Sequence, residues 1–452
     1  MNGISDMNPN PIVRRIAVKA ECALKTPALI GCGLDDNTDS DVIRDSGGSP
    51  YLPGSTMAGV LRNLLCSHYS DAKAMFGDGG NDSSNSPLWV FDSEFTDANI
   101  IEIDGVSIER DNKVAREGRK YDFEAIDAGA KFILRLLLTI RKNDRNKNME
   151  KSFETWLGNI IGILKSGSLY FGAKTNRGFG RITCSSVYKR DFDLAKGNVS
   201  ALNEWINFDW DHDGDHKEEW ETASGESYLG DFSVLIAEMK LDGSIMIRET
   251  RNIYDNLGGK DAPDYKHISS SNGEPVIYGT SWAGSFRSGL YKLLNIRFPR
   301  INEYLDDVFG KDKEDDDNED LTVSKVRFGA SYLEAENEKV EGYRSITRVK
   351  IDRFTGGAAN GALFREMPWY GGKTVLEIRY PKGADDIKEL LLLGLDGINK
   401  GLMQIGGESS IGRGFFEVTS VTVDDEPVSF NLPKHKLINT INNWKEGEPN
   451  EI

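Results

Sequence analysis

One set of motifs occurs twice in this chain, in the same order, and that confines it to two copies of one domain. Gly54-Ser55-Thr56-Met57-Ala58-Gly59-Val60-Leu61-Arg62 returns 225 residues later as Gly279-Thr280-Ser281-Trp282-Ala283-Gly284-Ser285-Phe286-Arg287. A glycine-rich loop, Gly172-Ala-Lys174-Thr-Asn176-Arg177-Gly178-Phe179-Gly180, returns at an offset of 234 as Gly406-Gly-Glu-Ser409-Ser410-Ile-Gly412-Arg413-Gly414. Between them, Val106-Ser-Ile108-Glu-Arg110 answers to Val349-Lys-Ile351-Asp-Arg353. A solenoid would repeat every 20–50 residues or so, which these offsets exclude.

Within each copy the local patterns follow one order. An alternating strand (Arg15–Leu24; Phe232–Leu241) leads through a polar loop and a Pro/Gly turn to an amphipathic helix. That helix starts at the Gly-Ser-Thr or Gly-Thr-Ser element, whose hydroxyls are expected N-caps, and runs to Phe76-Gly77 or Phe309-Gly310. Strands at Leu88–Phe91 and Val323–Phe328, strands at Lys131–Thr139 and Lys373–Tyr380, helices at Met149–Leu164 and Ala384–Leu395, then the glycine loop and a last strand complete the copies. Strand–helix–strand–strand–helix–strand is the ferredoxin-like order, shared with RNA-recognition folds. The expectation is an α+β chain: a first domain over 1–200, an acidic linker over 201–229, a second domain over 230–435 and a tail over 436–452.

The formal net charge of −17 argues against a nucleic-acid binder only until its location is read. Asp209–Glu221 and Asp312–Asp320 each carry seven acids against one lysine and together account for −12. The remainder is close enough to neutral to leave room for a locally basic face. No signal segment opens the chain, and its longest apolar stretches, Phe132–Ile140 and Leu390–Ile398, are too short to cross a bilayer. Cys22, Cys32, Cys66 and Cys184 show no paired spacing, so neither a disulfide framework nor a zinc site is expected. The reading is a reduced, cytoplasmic protein without a membrane partner.

The repeated motifs suit a polyanion. Gly54, Ser55, Thr56 and Arg62, with Gly279, Thr280, Ser281 and Arg287, would set free backbone N–H groups at a helix start beside a cation. A capped helix is the plainer reading of one copy; the repetition favours the anion site. In the late loop, Lys174, Asn176, Arg177, Gly178, Phe179 and Arg181 combine close backbone approach, cations and an aromatic that could support a base. Ser409, Ser410 and Arg413 are its less basic counterparts, and Arg353 adds a cation. The loop lacks the Gly-Lys-Ser/Thr end of a phosphate-binding Walker motif.

Acidic loops follow both first strands and hold Asp35 and Asp36, then Asp255 and Asp261. Carboxylates beside a phosphate site can take a proton from a hydroxyl or bind a divalent ion, though solvated acidic runs are common. Asp209-x-Asp211-x-Asp213-Gly214 opens like an EF-hand, but Trp220 stands where the bidentate glutamate belongs. The five histidines form no triad or ligand set; His267, in the second acidic loop, reads first as an ordinary surface residue and second as an RNA contact.

Taken together, the motifs resemble the RAMP superfamily of CRISPR effector complexes, nearest to a tandem, fused backbone subunit of type III systems and possibly type III-D. The likeness rests on Pro50–Arg62, Tyr121-Asp-Phe-Glu124 with Gly129, and Gly172–Gly180, and in the second copy on Pro275–Arg287, Ile351–Gly357 and Gly406–Gly414. It implies ferredoxin-like domains with inserted thumb hairpins, placed at Gly77–Ile108 and Gly310–Ile351. It also implies crRNA, complementary target RNA and other effector subunits as partners, and cleavage of target RNA by a loop aspartate with Mg2+ or Mn2+. Asp35 best matches the family's Gly-Gly-Ser-x-Asp pattern, here Gly31-Cys-Gly-Leu-Asp35, and is the implied metal ligand. The second copy lacks the glycine pair, leaving Asp255 and Asp261 as candidates by loop position alone. A non-catalytic scaffold subunit is the alternative; a guide-processing nuclease ranks last, because no histidine sits in a repeated motif.

Overall fold

The structure, a computed structural model, describes residues 10–31, 40–77, 85–108, 115–195, 197–212, 218–219, 232–249, 263–311, 322–431 and 434–443. At 104–108, 115–120, 218–219 and 360–362 it describes backbone only. Residue proximity divides the chain into two compact units. The first comprises Met1–Ile100, Glu124–Ala173 and Gly180–Gly230; the second comprises Ile101–Phe123, Lys174–Phe179 and Asp231–Ile452. The second unit thus includes two segments from the first half of the sequence.

In the first unit, β1 (Ile12–Leu24) leads to α1 (Gly54–His68) and β2 (Leu88–Val90). In chain order a hairpin of β3 (Ile100–Ile108) and β4 (Ala115–Ile126), most of which belongs to the second unit, precedes the first unit's β5 (Lys131–Arg141), α2 (Met149–Lys165), β6 (Ile182–Asp193) and α3 (Val199–Ile206). The sheet path β2–β5–β1–β6 is antiparallel throughout, as the ferredoxin-like arrangement requires. Met57, Leu61 and Leu65, four residues apart along α1, join Phe153, Leu157, Ile160 and Leu164 of α2 over one sheet face.

The other face of that sheet is also covered. Phe192 and Trp205 meet edge to face at 5.2 Å, Phe208 stacks on Trp205 at 5.9 Å, and Phe208 meets Trp210 at 5.0 Å. Ala17 and Leu137 are consequently buried although they point away from the helices. Residues 201–210, expected as linker, therefore belong to the first unit's packing. The linker composition misled because its acids mask the aromatics Trp205, Phe208 and Trp210.

The second unit repeats the plan with β7 (Phe232–Asp242), α4 (Gly279–Leu294), α5 (Ile301–Phe309) and β8 (Arg327–Phe328). A hairpin of β9 (Ile346–Ile351) and β10 (Ala358–Met367) follows, then β11 (Lys373–Pro381), α6 (Asp385–Asn399) and β12 (Phe415–Val423). Its path, β8–β11–β7–β12, matches the first unit's strand for strand. Trp282, Phe286 and Leu290 stand where α1 has Met57, Leu61 and Leu65. The bulkier Phe286 fits because α6 has Gly394 opposite; a Cβ there would lie 2.6 Å from the ring. The expected tail carries a helix, His435–Asn443, whose Leu437 and Ile441 are buried in this unit's core.

One expectation is corrected here. The first long helix of each copy is broken, into α1 plus a 3-10 turn at Ser70–Met75, and into α4 plus α5. In the second copy Pro299, between α4 and α5, cannot continue the backbone hydrogen-bond ladder. The two hairpins lie at 100–126 and 346–367, and their first strands, Ile100–Ile108 and Ile346–Ile351, form the last part of the expected thumb segments. Among the described residues no helix is long and apolar enough to cross a membrane.

Candidate nucleic-acid interface

The two helix starts differ from the expected anion site and from each other. Pro53 and Tyr278 occupy the N-cap positions, with no side-chain cap, so the hydroxyls of Ser55, Thr56, Thr280 and Ser281 lie inside the first turn rather than capping it. Gly54 and Gly279 are required by packing: a Cβ would sit 2.2 Å from the Val90 carbonyl oxygen and 2.1 Å from that of Phe328. In α1 the Gly54 N–H donates to Asp92 Oδ1 at 2.7 Å, so the protein's own carboxylate fills the positive end. Two residues after Phe328, where the first copy has Asp92, the second has Ala330. The start of α4 instead borders a cleft of about 60 Å³ lined by Tyr278, Thr280, Ser281, Ser269, Arg248 and Glu249, among others.

The helix arginines part company too. Arg62 is exposed on α1, eight residues along and so about 12 Å from the helix start, too far to share one phosphate with it. Arg287 is half-buried, ion-paired with Asp306 of α5, and donates from Nη1 to the Gly310 carbonyl oxygen at 2.9 Å. Arg287 fastens α4 to α5 in this structure.

The glycine loops pack onto the second strand of each hairpin. Lys174 and Glu408 hold matching left-handed positions at φ 57° and 62°. Lys174 Nζ lies 4.5 Å from the Tyr121 ring centroid and 4.6 Å from that of Phe123, and donates to the Tyr121 hydroxyl at 3.3 Å. Arg177 Nη1 reaches the same hydroxyl at 3.5 Å, and Asn176 is half-buried. Gly178 lies against the Phe328 carbonyl, where a Cβ would come within 2.1 Å. Phe179 is 2% exposed, with its ring against Phe123 at 5.8 Å and Tyr278 at 6.0 Å. A ring enclosed in this way has no face for a base, so that expectation is corrected. Arg181 is also committed, donating from Nε to the Gly167 carbonyl oxygen at 2.9 Å.

In the second copy an ion network replaces those rings. Arg413 donates to Glu366 Oε2 at 2.9 Å and pairs with Glu408, while Arg348 reaches Glu366 Oε1 at 3.2 Å. Arg248 joins Glu408 at 3.1 Å and lies 4.1 Å over the Tyr265 ring. Desolvation works against the Glu366 charge, but the Arg413 hydrogen bond and the arginine charges outweigh it and hold its carboxyl below the usual range. Arg413 is a buried member of this network rather than an open RNA contact. Ser410 is exposed and Ser409 half-buried on the short turn before it.

The hairpin of β9 and β10 ends in a projecting tip. Asp352 Oδ1 accepts from the Phe354 and Thr355 N–H groups at 2.9 and 2.8 Å, which fixes the turn. Lys350 and Arg353 are exposed there, and Phe354 is 99% exposed.

Asp35 and Asp36, and likewise Asp255 and Asp261, lie outside the described residues, but the necks of their loops do not. Gly31 bridges Val42, and the Ile43 N–H donates to the Ile30 carbonyl oxygen at 2.8 Å. Glu124, at the base of β4, accepts from the Val42 N–H at 3.0 Å and from Arg44 Nη2 at 2.9 Å. In the second copy Arg248 bridges His267. His267 is fully buried, not a surface residue; its Nδ1 accepts from the Ile247 N–H at 3.0 Å, and burial pushes its pKa down to about 3. Among the described residues no group of three His, Cys, Asp or Glu side chains is placed to hold a metal ion.

Two stretches, 21–183 and 241–417, match the family model of the RAMP superfamily. The chain belongs to the RAMP superfamily. RAMP proteins are CRISPR-associated RNA-binding subunits that work in complexes with RNA and other subunits. No curated protein matches the chain. Each matched stretch spans one copy of the RAMP domain, from its first strand through its glycine loop into its last strand.

Sequence reasoning missed Asp92, Arg44, Glu366 and Arg348, because single charged residues outside the repeated motifs carry no pattern. Phe123/Phe179 against Glu366/Arg413 could have been found by aligning the copies on their glycines.

Proposed function

We propose that this chain is the crRNA-binding backbone subunit of a type III CRISPR ribonucleoprotein and cleaves complementary target RNA at its first copy. The observation that carries the reading is the necked loop after β1. The Gly31–Val42 bridge and the Glu124 hydrogen bond to Val42 fix the chain on either side of the segment whose sequence carries Asp35 and Asp36. The reaction that fits is attack by a target 2′-hydroxyl on the adjacent phosphate, with a loop carboxylate accepting the hydroxyl proton. Mg2+ or Mn2+, held with Asp35, would supply charge stabilisation at the phosphate. Arg62, Lys174, Arg177, Lys350 and Arg353 are cations with side chains at least partly open to a guide backbone. The hairpins are assigned as thumbs, the second ending in Phe354.

The second copy fits binding without cutting. Its loop lacks the glycine pair, and Arg248 at the neck is engaged by Glu408 and Tyr265. The test is the assembled complex with Asp35→Ala, Asp36→Ala or both. Bound guide should be unchanged, and one set of metal-dependent cuts in target RNA should fall by at least about 100-fold, the scale of a lost general base. Cutting that is undiminished at every position in the double variant would leave a scaffold subunit instead.

A further inference from the structure

We propose that Cys22 and Cys184 form an oxidative modification site: a thiol pair that closes into a cross-strand disulfide when hydrogen peroxide or a peroxide of that class reaches Cys184. Their sequence separation hides the pairing, and only the sheet brings them together. In the antiparallel register of β1 and β6, Cys22 stands directly opposite Cys184, immediately past a register shift at Glu21. Directly opposed residues of an antiparallel pair have Cα atoms about 4.5 or 5.5 Å apart. Both values fall inside the roughly 4.4–6.8 Å that a disulfide spans. Opposed side chains also share a face, and here both thiols pack into the first unit's core. The bridge therefore requires no strand to slide.

The two sulfurs are not equivalent, and the difference assigns their roles. Cys22 is 4% exposed; Cys184 is half-buried, with its Sγ 3.4 Å from the Ser186 carbonyl oxygen. The Cys184 thiol is held below its ordinary range, first by its hydrogen bond with Cys22 and further by the charge of Lys165 at the end of α2. Cys22 is pushed the other way by that same hydrogen bond and by burial. Cys184 is thus the accessible nucleophile and Cys22 the resolving thiol.

The chemistry balances with the peroxide alone. The Cys184 thiolate attacks one peroxide oxygen, the O–O bond breaks, and hydroxide leaves and is protonated to water, giving a sulfenic acid. The Cys22 sulfur, losing its proton, attacks the Cys184 sulfur and displaces hydroxide, which leaves as a second water. Two electrons pass from the sulfur pair to the peroxide. The new bond ties β1 to the start of β6, two residues beyond the chain's turn out of the glycine loop at Arg181 and Ile182.

The full-length chain, with Cys32→Ser and Cys66→Ser removing the other thiols, is treated with hydrogen peroxide and mapped by peptide mass spectrometry. The expected product is a single Cys22–Cys184 cross-linked peptide, lighter than the summed reduced peptides by about 2 Da and reversed by dithiothreitol. The thermal midpoint of the oxidised chain should rise and return on reduction. Cys184 carried to sulfinic acid without the cross-link overturns the proposal, as does a native chain that resists peroxide while the urea-unfolded chain cross-links. If the serine variants fold poorly, mapping the chain without substitutions separates the same outcomes.

Discussion

At one pair of matched positions the two copies make the same contact with opposite chemistry. Phe179 meets Phe123 edge to face at 5.8 Å, whereas Arg413 donates to Glu366 at 2.9 Å. Both pairs clamp a glycine loop to the second strand of a hairpin, and both are buried. The aromatic pair needs no partner beyond its neighbours. The ionic pair has to recover the desolvation of two charges, and Arg348 and Glu408 help it do so. Removing one member leaves an uncompensated buried charge. Arg413→Ala should therefore cost about 3–5 kcal/mol in urea unfolding monitored by circular dichroism. The double exchange Glu366→Phe with Arg413→Phe should cost much less than either single change, because the first copy already packs rings there. Additive losses would show that the second copy's backbone does not accept the aromatic solution.

The two helix starts make the same argument at the scale of an element. α1 is closed to outside anions by Asp92, whose carboxylate is 38 residues away in sequence and 2.7 Å from the Gly54 N–H. α4 has Ala330 in that place and opens on a cleft. Ala330→Asp should give α4 the same internal anion, leaving stability unchanged or raised by up to about 1 kcal/mol. RNA affinity measured by fluorescence anisotropy should fall, and the salt slope should become shallower by close to one contact. Unaltered affinity and slope would remove the α4 start from the interface. This contrast also shows what the sequence could and could not disclose. Glycine spacing was legible because backbone crowding leaves no alternative: a Cβ at Gly180 or Gly414 would lie 1.8 or 2.0 Å from a carbonyl oxygen. The same holds for the apolar positions four apart in α1 and α4, which packing against a sheet imposes. The partners of cations and hydroxyls were not legible, because nothing local states whether a distant residue already engages them. Arg287, Arg181 and Arg413 look like phosphate ligands in sequence, and each is held by the protein itself.

At the scale of the molecule, sequence order and physical units do not coincide. The motif repeat divides the chain near residue 230, yet the second compact unit includes Ile101–Phe123 and Lys174–Phe179. Those segments are structural parts of it. Phe179 lies against Tyr278, and the Arg177 carbonyl oxygen is 2.4 Å from where a Gly279 Cβ would stand. Tyr278 is 4% exposed, with the Phe179 ring among its neighbours. A fragment of residues 231–452 would keep its sheet and helices but expose the start of α4 and the Phe328 backbone. Losing the contact area of a buried aromatic costs about 1.5–3 kcal/mol, a large share of a domain's margin. The fragment should therefore unfold at lower urea than the same residues in the intact chain, with a steeper hydrogen-exchange loss at 276–282 than at 387–398. A chain cut once by protease between 220 and 230, with both pieces retained, should keep the intact chain's midpoint, since the cut removes no part of either unit. If the isolated fragment matched the intact chain in midpoint and in exchange at 276–282, the two imported segments would be bystanders, and the copies would be independent domains joined end to end.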